Sequence, residues 1–180
     1  PLWVPRQPSG LRRLVHLGSF ALASLPSLLG QWRWRPDVVW VVAPALACTP
    51  GALTLARLSG ARAWLHIQDY EVDAAFELGL LKGKGLRALV SAAERWLMRR
   101  FDRVSTISQR MLDRARLKGV DDDRLTHLPN WVDVAAVKPL PGPSSYREQL
   151  GIGADAVVGL YSGNMGAGQG LEVLAGLARK

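Results

Sequence analysis

From Asp37 onward this chain repeats one pattern, a short apolar run followed by an amphipathic stretch, and that rhythm confines it to alternating strands and helices. Residues 38–43 (VVWVVA) are continuously apolar between turn formers, as in a strand covered on both faces. Thr49 and Pro50 supply an N-cap and a first-turn proline for a helix that runs to Gly60. A second strand is predicted over 63–67, and an acid-rich loop follows from Gln68 to Asp73. A long helix is predicted over 86–101, with Leu86, Leu89, Val90, Ala93 and Leu97 recurring at helical spacing. Residues 103–107 give a third strand, Ser108 caps a helix that ends at Gly119, and 125–128 give a fourth strand. Strands joined in this way imply right-handed crossovers and a mostly parallel, Rossmann-like sheet.

Pro139, Pro141 and Pro143 interrupt every periodic signal, so 138–145 reads as a linker. A short helix over 146–150 leads into a second strand-to-helix unit whose strand covers 157–163. The expected organisation is an α/β domain over 1–137, the linker over 138–145, and the start of a second α/β domain over 146–180. Pro1 is not an initiator methionine and Lys180 falls inside a helix pattern, so the sequence reads as a slice of a larger protein. On that reading the first domain lacks its opening strands.

The chain carries 23 Lys+Arg against 15 Asp+Glu, a net charge of +8, which calls for an anionic partner. Nucleic acid is set aside, because no stacking aromatics or binding module accompany the charge. Much of the excess lies in residues 82–103, from Lys82 to Arg103, where a basic helix with Trp96 and Leu97 suits an anionic membrane surface or a solvated face. The uncharged stretch 38–56 is not a membrane span, since Pro44 and Pro50 break it. The single cysteine, Cys48, excludes a disulfide framework and a multi-cysteine metal site and agrees with a reducing cytosol.

Two places carry candidate chemistry. Gly163, Asn164, Gly166, Gln169 and Gly170 lie between a predicted strand and a predicted helix, where backbone N–H groups can hold a phosphate. The spacing matches neither a P-loop nor the dinucleotide fingerprint. His66 and Asp69 sit at the carboxyl end of the second strand, the edge at which open α/β sheets bind ligands. Asp69, Glu71 and Asp73 have no second ligand cluster at a suitable spacing, so no metal is assigned. The familiar hydrolase motifs are missing.

Four strings in order, Leu65–Glu71, Arg99–Ser108, Leu128–Asp133 and Tyr161–Gly166 with Gln169–Glu172, make the chain resemble a bacterial retaining glycosyltransferase of the GT-B fold, nearest to the colanic acid biosynthesis group. The resemblance implies two Rossmann-like domains, a nucleotide-sugar donor, a saccharide acceptor carried on a lipid such as a polyprenyl, and no metal or other cofactor. It implies a cytoplasmic enzyme, peripheral on the inner face of the plasma membrane. Residue by residue, His66 and Asp69 match the acceptor-side loop near the reacting sugar, Asn130 and Asp133 match an Asn-Gly-Val-Asp motif, and Gly163 matches the donor-side glycine. Asn164 and Gln169 stand where relatives carry cations for the diphosphate. The family's donor-gripping glutamates fall outside the sequence, so the slice alone is expected to be inactive. The competing expectation is a non-catalytic Rossmann-like module that holds a phosphorylated ligand or a partner protein. An epimerase is disfavoured, since no Tyr-x-x-x-Lys pair occurs.

Overall fold

The computed structural model describes residues 4, 10–43, 46–77, 79, 82–163 and 169–178. The chain divides into two compact units, Pro1–Asn130 and Trp131–Lys180. The first is an α/β unit around a four-stranded parallel sheet of order β1-β2-β3-β4. Its strands are β1 (Val38–Ala43), β2 (Arg62–Ile67), β3 (Arg103–Thr106) and β4 (Leu125–His127), all at or within one residue of the predicted spans. The helices are α1 (Gly10–Gly30), α2 (Thr49–Ser59), α3 (Glu71–Glu77), α4 (Lys84–Met98) and α5 (Gln109–Leu117).

Local chemistry explains most of these elements. The Ser108 hydroxyl accepts from Met111 N at the start of α5, satisfying one of the free first-turn amides. Thr49 is not the cap of α2 that the sequence suggested. It is the first helical residue, and its hydroxyl donates back to Leu46 O at 2.7 Å, closing the 3-10 turn Leu46–Cys48 that precedes the helix. α1 lies against α2 at Gly51, where a Cβ would stand 2.8 Å from Leu25 Cδ1, so any larger residue would require that leucine to shift.

The core lies on one face of the sheet. Val39, Ala63, Leu65, Ile67 and Val104 meet Ala52, Leu55 and Ala56 of α2, Met98 and Phe101 from the end of α4, and Ala115 of α5. β1 was expected to be covered on both faces, but its burial alternates. Val39 and Ala43 are buried while Val38, Trp40 and Val42 are about half exposed. α4 also corrects its expected pattern, for Leu86, Leu89 and Ala93 face outward and the buried positions are Glu94 and Met98. Among the described residues, only the second half of this helix contributes buried side chains. The acid-rich loop is a helix from Glu71, because Glu71 and Asp73 in its first turn complement the helix dipole.

The second unit contains α6 (Ser145–Gln149) and α7 (Glu172–Leu177). The strand expected over 157–163 joins no ladder among the described residues. A lone strand has no partner for its amides and carbonyls and gains nothing from extension. Among the described residues, no helix is long and apolar enough to cross a membrane.

Candidate functional site

The carboxyl ends of β2, β3 and β4 bring together side chains separated by up to 62 positions in the sequence. His66, the second-last residue of β2, pairs in register with Ser105 of β3. Both are buried, His66 at 4% exposure and Ser105 at 0%. The His66 Nδ1 lies 2.8 Å from Ser105 Oγ, which also accepts from Trp64 Nε1 at 2.8 Å. Trp40 stands edge-on to the imidazole with ring centres 5.9 Å apart.

The other ring nitrogen points toward the rim. Gln68 Nε2 lies 2.8 Å from His66 Nε2 and donates to Asn130 Oδ1 at 3.1 Å, while Asn130 Nδ2 donates to Gln68 Oε1 at 3.2 Å. An amide nitrogen has only protons to offer, so Nε2 is the acceptor and the neutral ring carries its proton on Nδ1, toward Ser105. Burial lowers the His66 pKa below its ordinary 6.5, in agreement with this neutral form. Protonation would set N–H against N–H at Nε2 unless both amides turned over. The result is an uncharged relay from Trp64 to Asn130 that fixes a half-buried Gln68 and an exposed Asn130 at the sheet edge.

Asp69 follows directly and is exposed, with no hydrogen bond or ion pair among the described residues. Behind it, Tyr70 is buried and donates to Met111 O at 2.7 Å, which ties the loop to α5. Burial, reinforced by Glu94 and Asp73, raises the Tyr70 phenol well above its ordinary range, so it remains a donor. The same loop is braced from below by ion pairs. Lys118 Nζ is 2.9 Å from Asp73 Oδ2 and also contacts Glu94, while Arg114 Nε donates to Asp73 Oδ2 at 2.8 Å. Burial raises the Asp73 pKa, but Lys118 and Arg114 together outweigh it and hold the carboxyl below its ordinary value. Burial dominates at Glu94 and raises its pKa despite Lys118.

The remaining predicted residues belong to the second unit. Asp133 directs its carboxylate to its own turn, accepting from Ala135 N at 2.8 Å and Ala136 N at 3.2 Å. In the second unit Gln169 Oε1 accepts from the Tyr161 hydroxyl at 3.4 Å, Gly170 adopts φ +63°, and a Cβ at Gly163 would stand 2.9 Å from the Tyr161 hydroxyl. Asn164 and Gly166 lie outside the described residues. Among the described residues no group of three His, Cys, Asp or Glu side chains is arranged to hold a metal. Sequence reasoning did not single out Gln68, Ser105 or Trp64. The signal available was their register, since Ser105 falls opposite His66 once β2 and β3 are aligned.

A profile of the glycosyl transferase 4-like domain matches residues 1–131, the whole of the unit that carries this relay. The chain is 48% identical over 177 residues to the putative colanic acid biosynthesis glycosyl transferase WcaI of Escherichia coli K12, covering 96% of the chain and 44% of that protein. It is 32% identical over 189 aligned positions to the 2-deoxystreptamine N-acetyl-D-glucosaminyltransferase of Streptomyces fradiae, covering 98% of the chain and 43% of that protein. The chain thus spans under half the length of these curated relatives. No solved structure matches it significantly. By the profile that spans its whole first unit, the chain belongs to the glycosyl transferase 4-like family.

Proposed function

We propose that this chain is the acceptor-side part of a retaining glycosyltransferase that moves a hexose from a nucleotide-sugar to a lipid-linked saccharide in cell-envelope or exopolysaccharide synthesis. The observation that carries the reading is the relay of His66, Gln68 and Asn130 at the sheet edge, inside the segment matched by the family profile. Saccharides present hydroxyls that both donate and accept, and primary amides complement them in both senses. In this reading Gln68, Asn130 and the carboxylate of Asp69 face the acceptor, and His66 positions Gln68 from behind. The glycines around Gly163 and Gly170, with Gln169, serve the donor side through backbone N–H groups, and no metal enters the scheme.

The enzyme works at the cytoplasmic face of the plasma membrane. α4 supports this part of the reading, since it exposes Leu86, Leu89 and Trp96 beside Arg87, Arg95, Arg99 and Arg100. The test is release of free nucleotide by the full-length protein from UDP-, GDP- and dTDP-sugars, with a membrane extract as acceptor. Acceptor-dependent release from one donor is expected, with the anomeric configuration retained in the product by NMR. Release from none of them by the folded protein favours the non-catalytic module.

A further inference from the structure

The end of the first unit opposite the relay, where the strands begin, gathers an unusual surface. Residues 31–37, 57–62 and 95–103 lead into or open β1, β2 and β3, and they hold eight arginines against two aspartates, Asp37 and Asp102. Among the described residues only Arg62 of the eight forms an ion pair, with Asp102, and that aspartate also accepts from Ala63 N at 2.8 Å. Three of the seven tryptophans lie in the same segments. Trp32, Trp34 and Trp96 are 47%, 75% and 56% exposed, and Leu58 between them is 59% exposed.

Parts of these segments line three grooves, two of which share Arg100. One groove is lined by Leu29, Gly30, Trp32 and Leu58. The next, one residue along α2, contains Arg57, Gly60, Arg62 and Arg100. The third contains Arg95, Trp96, Arg99 and again Arg100, whose guanidinium stacks 3.8 Å above the Trp96 ring. Arg35 takes a left-handed φ of 53° to close the Trp32–Trp34 turn, a conformation that a side chain of this size rarely adopts. Arginines mostly without an ion pair, beside exposed indoles and a leucine, match an anionic bilayer surface, whose headgroups take the cations and whose interface takes the tryptophans.

We propose that the unit docks on anionic phospholipid through this strand-entry end, with Trp32, Trp34, Leu58 and Trp96 entering the interface and Arg57, Arg95 and Arg100 over the headgroups. The inference rests on the membrane reading above and moves the contact from the length of α4 to its last turns together with the segments before β1 and β2. The His66 edge then stands about 20 Å above the lipid, the length of a six-residue strand, so a lipid-linked acceptor must bridge that height.

Flotation of the full-length protein with phosphatidylethanolamine/phosphatidylglycerol vesicles, and with phosphatidylcholine alone, tests the proposal. Binding is expected only with phosphatidylglycerol and is expected to weaken as salt rises. Each arginine removed is expected to lower partitioning about fivefold. Trp34→Ser/Arg57→Glu/Arg100→Glu should therefore lose flotation, Arg57→Lys/Arg100→Lys should retain it, and Lys82→Glu/Lys84→Glu at the far end of α4 should change it little. Nucleotide release with a detergent-solubilised acceptor, measured in parallel, reports the glycosyl-transfer reading independently and shows that each variant is folded. Flotation of the triple variant equal to wild type, or wild-type binding indifferent to phosphatidylglycerol, overturns the proposal whatever the activity.

Discussion

Ser105 is the residue on which the relay turns. Its hydroxyl accepts from both Trp64 Nε1 and His66 Nδ1 in a site with no exposure. Ser105→Ala leaves two buried donors unpaired and is expected to destabilise the unit by about 2 kcal/mol in urea unfolding. His66 gives a pH signature. Its pKa is lowered from 6.5 by burial, so in mild acid the unfolded chain binds a proton that the folded one refuses. The stability associated with neutral His66 is complete above pH 6.5 and is lost as pH falls from there toward the lowered folded value. Comparing unfolding midpoints on either side of pH 6.5 should show a drop in wild type and a smaller one in His66→Gln. Glu94, with its raised pKa, gains stability on acidification, so the difference between the two proteins is the informative quantity. The sequence pointed to His66 by its place at a strand end, and to Asn130 by motif. It did not reveal that Gln68 joins them, because that contact forms only when β2 and the segment after β4 are brought together.

Among the elements, α3, α4 and α5 form one braced group. Lys118, 8% exposed, is the cation between Glu94 of α4 and Asp73 of α3, and Gly119 beside it has a φ of +84° with the Arg99 guanidinium packed where a Cβ would stand. Lys118→Met strands the Glu94 carboxylate, while Asp73 keeps Arg114, and is expected to cost about 3 kcal/mol or more, most of which Glu94→Gln should restore in the double variant. Urea denaturation of the set checks this, and equal destabilisation of the single and double variants would contradict it. The group also shows where local patterns misled. Residues 71–73 look like a solvated loop until Arg114 and Lys118 arrive from α5 and its end to neutralise Asp73. Conversely, β1, β2, β3, α2 and α5 were legible because apolar runs and the Ser108 cap act within a few residues.

At the scale of the whole molecule, the parallel sheet follows from the alternation of strands and helices, and the two ends of that sheet differ in chemistry. The strand exits carry neutral amides and a carboxylate suited to a saccharide, and the strand entries carry arginine and tryptophan suited to a lipid surface. That polarity was hidden in the sequence, where Trp32, Arg57 and Arg100 belong to three separate segments and only the order of the strands brings them to one end. The central claim is that the exit edge receives the acceptor. It is tested most directly by initial rates of acceptor-dependent nucleotide release for the full-length protein and its Gln68→Ala and His66→Ala variants, with donor affinity measured alongside. The account predicts rates lowered about 100-fold or more in both, as for loss of a positioned hydrogen-bonding group, with donor affinity unchanged. Wild-type rates in both variants, with the proteins folded, would contradict it.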